Sequence, residues 1–199
     1  MISEEQQVIL FIAAYLLDYP EKNRLSEYRE LKDLYKNDVD SQDAKNLINL
    51  VFNDLESYSL KDIQQLYVST FDWQEDTGLY LTAHEYGDDS MRGGGLIQIQ
   101  VIISQAGLER DEKQLADYLP SLYELLAVST DEKIHNKLMK RLGKATWQVN
   151  QSLDKKNPYK NILNLLTDFV FDKPTTEEME EIKKEDPDTE NMPYPIMYE

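Results

Sequence analysis

The sequence predicts an all-α protein, a single-domain helical bundle over residues 1–172. Apolar residues recur at the 3–4 residue spacing of a helix face in nearly every segment. Seven glycines and seven prolines among 199 residues are too few for the frequent turns of an all-β chain. No Asn-Gly type signal for a β-hairpin is present either.

Four helices are predicted in the N-terminal part. The first, residues 4–18, ends before a proline, because the residue preceding proline is disfavoured in helical geometry. A second covers residues 25–36. Ser41 is the predicted N-cap of a third helix, and Ser59 opens a fourth that continues to Phe71.

The helix predicted over residues 90–107 is expected to be among the most buried. Its interior is apolar on nearly all sides, which is typical of a helix that others surround. Ser90 is its predicted N-cap and Gly107 its left-handed C′ residue. Glycines cost about 1 kcal/mol each inside a helix. We therefore expect the glycines at 93–95 in or before the first turn, where another backbone can approach closely.

Three helices are predicted in the C-terminal part, over residues 117–128, 130–153 and 158–171. Pro120 is acceptable in a first turn, and Thr130 is the predicted N-cap of the long middle helix. One side of that helix carries a line of four lysines, Lys133, Lys137, Lys140 and Lys144. We interpret the line as a solvated face that neighbouring acids neutralise.

Residues 173–199 are expected to form an acidic, proline-containing mobile tail. Nine acids and two lysines lie between Thr175 and Glu199, with few apolar residues. Docking of the tail through its few large apolar side chains is the alternative that the sequence leaves open. Those side chains are Met192, Tyr194, Ile196 and Met197.

The net charge of −17 narrows the classes of partner. Binding to nucleic acid or to an anionic membrane surface needs a basic face, so both are disfavoured. A basic polypeptide is the natural partner of an acidic field. The chain has no cysteine, no basic signal-peptide start and no apolar run near 18 residues. A cytoplasmic protein without a membrane span is therefore expected, and whether it is a monomer or a dimer stays open.

Motifs for catalysis are scarce, and we predict a protein that is not an enzyme and binds no metal or other cofactor. The glycines at 93–95 lack the lysine and hydroxyl residue of a phosphate-binding loop. Glu132 and His135 have the Glu-x-x-His spacing of helical di-iron proteins, but no second such pair exists. His84 is either part of a peptide-binding surface or a packed histidine.

Residues 67–95 are the segment in which aromatic and acidic residues crowd together. Phe71, Asp72, Trp73 and Tyr80 exemplify the mixture. Such a composition suits a surface that binds a basic, partly apolar peptide. The alternative is an inter-helix connection whose aromatics fill the core and whose acids are solvated.

Four sequence blocks in this order resemble the NarJ family, within the wider TorD/DmsD group of redox-enzyme maturation chaperones. The blocks are YVSTFD at 67–72, LYLT at 79–82, GDDSMRG at 87–93 and DYLPSLYE at 117–124. The resemblance implies a TorD-like helical chaperone without catalytic activity. It further implies binding of the N-terminal segment of the nitrate reductase catalytic (alpha) subunit, a vestige of a twin-arginine signal. The subunit would be held in the cytoplasm while molybdenum cofactor is inserted.

Site residues are predicted from the blocks together with the acidic and aromatic pattern. Two departures are Ser90-Met91-Arg92, where the family pattern is richer in arginine, and Ala116, where a proline is common. Arg92, Gly93 and Pro120 are predicted to be structural. The predicted client-binding residues are Tyr67, Phe71, Asp72, Trp73, Tyr80, His84, Glu85, Tyr86, Asp88, Asp117 and Glu124.

Two other functions remain open at this point. One is a maturation chaperone for another twin-arginine-type molybdoenzyme, such as a DMSO or TMAO reductase. The other belongs to a different class, a helical-bundle metalloenzyme that uses buried carboxylates.

Overall fold

The computed structural model describes residues 2–23, 27–28, 30–32, 35, 38–87, 90–107 and 114–181. The predicted all-α fold is confirmed. Strands are absent from these ranges, where β geometry is limited to a single antiparallel bridge between Tyr80 and Tyr118. The helices are α1 (Glu4–Leu16), α2 (Gln42–Glu56), α3 (Leu60–Phe71), α4 (Leu81–Tyr86), α5 (Arg92–Gln105), α6 (Leu119–Val128), α7 (Glu132–Ser152), α8 (Tyr159–Phe169) and α9 (Thr176–Glu181).

Helix α1 is the centre of the bundle. Seven of its 13 residues are buried, and it packs against both α6 and α8. Ser3 begins it with a complete capping box, in which the Ser3 hydroxyl accepts from the Gln6 N–H and the Gln6 side chain accepts from the Ser3 N–H. Because α1 is apolar nearly all round, it can be covered on several sides at once.

The prediction that residues 90–107 form one of the most buried helices is wrong. Helix α5 lies at the periphery, where it contacts α4, and Ile97 and Val101 are 47% and 41% exposed. Ile99, Ile102 and Gly95 form its buried side. An apolar composition favours burial, but it cannot specify how many neighbouring helices exist to cover each side.

Helix caps test the predicted boundaries more finely. Ser41 and Ser59 are confirmed as N-caps, because their hydroxyls accept from Ala44 N and Asp62 N at 3.3 and 3.2 Å. Ser90 and Thr130 are not N-caps. Helix α5 begins after Met91 without a side-chain cap, and Asp131 caps α7 by accepting from Lys133 N at 2.8 Å. The predicted N-cap of α7 is therefore wrong by one residue.

Half of the predicted second helix, residues 25–36, falls outside the described residues. Tyr28 and Tyr35, which are described, are buried against Phe52 of α2, with ring centroids 5.5 and 6.0 Å apart. Aromatic pairs at these separations add to the stabilisation from burial alone. These contacts connect the 27–35 region to α2.

The C-terminal region runs back along α7. Phe171 packs so closely on Gly143 that a Cβ there would lie 3.3 Å from the Phe171 Cβ. Residues 176–181 of the predicted tail form α9. Residues 182–199, with Met192, Tyr194, Ile196 and Met197, lie outside the described residues, so the mobile-tail interpretation stays a prediction there. In the described ranges, no helix combines the length and the apolar character that a membrane span requires.

Candidate functional site

The second and fourth signature blocks meet in space although 38 residues separate their first members. Leu81 N donates to Asp117 O at 2.8 Å, and Leu119 N donates to Leu79 O at 2.9 Å. These two bonds flank the bridge between Tyr80 and Tyr118, whose rings are 5.6 Å apart. The start of α4 and the start of α6 are therefore held side by side.

Asp117 is the centre of a buried polar network at this junction. Its side chain is fully buried, and Oδ2 accepts from both the N–H and the hydroxyl of Thr82. The same hydroxyl accepts from Arg92 Nε at 3.2 Å. Asp117 Oδ1 has no hydrogen-bond partner among the described atoms. The network joins α4, α5 and α6, and it turns Asp117 away from any ligand on the surface.

The Arg92 side chain bonds to Thr82 rather than directly to an acid, and its structural role stays a prediction. Gly93 is exposed, and a Cβ there would meet nothing within 4 Å. Gly95 is the constrained glycine of the three. A Cβ at Gly95 would lie 2.6 Å from Tyr86 Cε2 and 3.2 Å from Thr82 Cγ2. Close approach of α4 and α5 thus depends on Gly95, although the groups that approach it are side chains and not the backbone that the sequence predicted.

Tyr67 and Tyr118 form a buried hydroxyl pair with an Oη–Oη distance of 2.8 Å. Tyr118 Oη also donates to Asp18 Oδ1 at 3.0 Å, at the C-terminal end of α1. Burial is the main cause that raises the pKa of both phenols, so both stay neutral donors at physiological pH. Tyr67 therefore orients Tyr118. Phe71 is buried against the ring of Tyr159 at 4.9 Å and cannot contact a surface ligand in this conformation.

His84 and Glu85 also have intramolecular partners. His84 Nε2 lies 2.6 Å from Gly78 O, and burial lowers the pKa of His84, which favours the neutral ring. Glu85 forms a bidentate ion pair with Arg141 of α7, with distances of 2.6 and 2.7 Å. This pair ties α4 to α7 and neutralises the Glu85 charge.

Some predicted site residues do reach the surface. Asp72 is exposed at the end of α3, and the Trp73 ring is fully exposed on a residue with φ of +57°. Tyr80 and Tyr86 are half-buried, and Glu124 is exposed on α6. Asp88 lies outside the described residues. The predicted site is thus divided between groups with intramolecular partners and a set of similar size that reaches the surface.

A groove between α1 and α6 lies near the junction. Its cavity volume is about 340 Å³, its walls are mostly apolar, and the acids Asp18 and Glu124 both lie on its lining. Volumes of about 300–1,000 Å³ are usual for ligand pockets. The lining residues are Phe11, Ala14, Tyr15, Asp18, Leu31, Tyr118, Pro120, Ser121 and Glu124.

Glu124 and Pro120 are predicted from the sequence to lie near the site, whereas the α1 wall of the groove is not. Phe11 and Tyr15 are four residues apart, so they share a helix face, and both are only half-buried. Because both belong to an apolar stripe in the sequence, they are predicted to be core residues. A stripe wider than one neighbouring helix could have indicated that part of it faces a groove.

The histidines give no sign of a metal site. His135 Nε2 lies 2.7 Å from Ser129 O, and Glu132 of the same Glu-x-x-His motif is exposed. Among the residues that the structure describes, no group of three or more His, Asp and Glu side chains is placed to hold a metal ion.

Comparisons with known proteins agree on one family. A family model described as nitrate reductase delta subunit matches residues 29–168. The chain is 26% identical over 166 residues to the probable nitrate reductase molybdenum cofactor assembly chaperone NarJ of Bacillus subtilis (strain 168), covering 83% of this chain and 90% of the relative.

Two relatives from Escherichia coli (strain K12) are also similar. The nitrate reductase molybdenum cofactor assembly chaperone NarJ is 28% identical over 120 residues, covering 59% of this chain and 50% of the relative. The probable nitrate reductase molybdenum cofactor assembly chaperone NarW is 27% identical over 131 residues, covering 66% and 54%. The matches span about half the length of these two relatives.

Proposed function

This chain belongs to the nitrate reductase delta subunit family, and from that membership we propose that it is an assembly chaperone for the catalytic subunit of respiratory nitrate reductase. The resemblance to the NarJ family is confirmed by the family match. In this proposal the chain has no enzymatic role. It acts in the cytoplasm, where it holds the client while molybdenum cofactor is inserted.

The groove between α1 and α6 is the proposed binding site for the client. We propose that it receives the N-terminal segment of the catalytic subunit. The apolar walls suit an apolar side chain of that segment, and Asp18 and Glu124 suit its basic residues. A net charge of −17 adds a long-range attraction for a basic peptide.

Buried residues of the signature blocks position the residues that line this groove. Tyr67 fixes the hydroxyl of Tyr118, which forms part of the lining. Asp117 and Thr82 hold the start of α6, from which Pro120 and Glu124 project into the groove region. We therefore assign Tyr67, Phe71, His84, Glu85 and Asp117 to positioning rather than to direct contact with the client.

Trp73 and Asp72 form a second candidate contact. A fully exposed indole beside a carboxylate can stack on a basic side chain of the client. A longer client segment could contact both this pair and the groove. The double variant Asp72→Asn/Trp73→Ala tests the contact apart from the groove, because neither residue lines it.

Titration calorimetry with a synthetic N-terminal peptide of the nitrate reductase catalytic subunit tests the groove. Replacing Asp18 and Glu124 together, as Asp18→Asn/Glu124→Gln, should weaken binding by about tenfold at low salt, since close charge pairs each contribute about 0.2–1 kcal/mol when exposed and more when desolvated. The matched control is Asp43→Asn/Glu132→Gln, which removes the same two charges from exposed positions on α2 and α7. Equal weakening in both variants would mean that only net charge matters and would contradict the groove.

Titration calorimetry also tests which enzyme is the client. If nitrate reductase is the client, its peptide should bind more tightly than the N-terminal peptide of a DMSO or TMAO reductase. The reverse order would favour the alternative of a maturation chaperone for another molybdoenzyme. A carboxylate metalloenzyme is not favoured by any cluster of ligands in the described residues.

A further inference from the structure

Helix α5 has an apolar face that stays exposed. Its buried residues, Gly95, Ile99 and Ile102, follow one another at helical spacing. Ile97 and Val101 each come two residues after a member of that set, about 200° further round the helix, and are 47% and 41% exposed. Of the large apolar side chains that the structure describes as exposed, these are the two that lie four residues apart on one helix. They therefore form a continuous patch.

The same helix is free of charged residues after its first position. No Asp, Glu, Lys or Arg occurs between Arg92 and Glu109. The next longest charge-free run, residues 6–17, covers most of α1, which is the buried centre of the bundle. In a chain with a net charge of −17, α5 thus combines a long uncharged sequence with an exposed face. Depletion of charged residues is the compositional feature that distinguishes the core of a protein interface from other surface.

The absence of charge favours a second copy of this chain over an unrelated partner. In an interface with twofold symmetry, a residue near the axis meets its own counterpart, so a charge there would face the same charge. Like charges in contact are costly, and an interface between two copies has to avoid them. A different protein would meet an acidic chain most favourably through basic residues, and it would find no acid to pair with between Arg92 and Glu109.

Antiparallel packing of two α5 helices satisfies this symmetry. The helix spans Arg92–Gln105, so its midpoint lies between Ile97 and Val101. A twofold axis at the midpoint places Ile97 of one copy against Val101 of the other. Gly93 and Ser104, at the two ends of the same stripe, are exposed and small, which allows two helices to approach closely.

We propose that two copies of this chain associate through the exposed stripe of α5, with the two helices antiparallel about a twofold axis. The stripe is about 21 Å long, since 14 residues rise about 1.5 Å each, and about 10 Å wide. A standard interface buries about 800 Å² on each partner, so the α5 stripe is smaller and the dimer is weak and reversible. No residue of α5 lines the groove between α1 and α6, so dimerisation and client binding are separate properties.

Sedimentation equilibrium of the full chain tests the dimer. At concentrations up to about 0.5 mM the average mass should rise from 23.3 kDa towards twice that value, as expected for an interface below standard size. Raising the salt concentration from about 0.05 M to about 0.5 M should strengthen the association, because salt screens the repulsion between two chains of charge −17. Binding of a basic peptide in the client groove should weaken under the same change. A mass of 23.3 kDa at every concentration and in both salt conditions would overturn the proposal.

Charge variants test the twofold pairing. Ile97→Glu/Val101→Glu and Ile97→Lys/Val101→Lys should each lower the association constant by at least about tenfold, because like charges then meet across the axis. An equimolar mixture of the two variants should regain association, since opposite charges then meet. The matched control, Leu50→Glu/Val128→Glu, places the same two negative charges at positions that are 46% exposed on α2 and α6, and it should associate as the wild type does.

Urea unfolding of the same variants separates a second copy from the chain's own C-terminal segment. In dilute protein the midpoint should be similar for the Ile97→Glu/Val101→Glu variant and the control, because both change exposed residues. If residues 182–199 covered the stripe instead, the wild type would stay monomeric and the midpoint would fall in the α5 variant alone. Association that survives both α5 substitutions, or a mixture of the Glu and Lys variants that stays monomeric, would also contradict the twofold interface.

Discussion

Substituting Gly95 and Gly93 of the same helix turn by alanine should change stability in opposite directions. Alanine is favoured over glycine in a helix by about 1 kcal/mol. At Gly93 a Cβ meets nothing within 4 Å, so Gly93→Ala should stabilise the fold by about 0.5–1 kcal/mol. At Gly95 the Cβ would lie 2.6 Å from Tyr86 and 3.2 Å from Thr82.

At Gly95, the gain in helix propensity is opposed by the cost of overpacking. Inserting a methyl group into a filled contact costs about 1–3 kcal/mol. Tyr86 is half-buried and can shift, whereas Thr82 is fully buried and bonded to Asp117. Subtracting the helix gain of about 1 kcal/mol leaves about 0–2 kcal/mol, so Gly95→Ala should destabilise the fold by up to about 2 kcal/mol.

Urea unfolding, followed by circular dichroism at 222 nm, measures both variants. The midpoint should rise for Gly93→Ala and fall for Gly95→Ala, with the same slope, because the surface exposed on unfolding is unchanged. If Gly95→Ala were as stabilising as Gly93→Ala, then α4 and α5 would not approach each other as the structure shows.

Two further predictions concern the buried polar groups. Tyr118→Phe should lower the free energy of unfolding by about 1–3 kcal/mol, because it leaves the buried Tyr67 hydroxyl without its partner. The double variant Tyr67→Phe/Tyr118→Phe should lose less than the sum of the two single changes. Additive losses in urea unfolding would contradict a coupled pair. For His84, burial lowers the pKa in the folded state below the unfolded value of about 6.5. The stability that the neutral ring contributes is therefore full above that pH and is lost as pH falls through the folded pKa. His84→Gln should therefore lose less stability than the wild type between pH 7 and pH 5, and parallel pH profiles of the unfolding midpoint would refute this.

Local chemistry made many element boundaries predictable. Ser41 and Ser59 are capping residues whose hydroxyls do accept from the backbone three residues on, and Gly107 has the positive φ of +70° expected after a helix. These features depend on a few neighbouring residues, so a single sequence is enough to recognise them. At the start of α7, Thr130 and Asp131 are both good caps, and the choice between them depends on how α6 ends.

Long-range packing was less predictable. Helix α5 is as apolar as a central helix, yet Ile97 and Val101 remain exposed because no described element covers that side. The groove depends on the relative position of α1 and α6, which are more than 100 residues apart in the chain. Buried Asp117 and paired Glu85 illustrate the same limit, since an acid in a sequence block looks the same whether it faces solvent or a neighbouring helix.

The molybdenum content of the client tests the central claim most directly. The nitrate reductase catalytic subunit would be produced in cells that lack their own assembly chaperone, with this chain or with its Asp18→Asn/Glu124→Gln variant, and its molybdenum measured by elemental mass spectrometry. A chaperone that acts through the groove predicts near-stoichiometric molybdenum with the wild-type chain and a clear deficit with the variant or without the chain. A molybdenum content that is the same with and without this chain would contradict its assignment as an assembly chaperone.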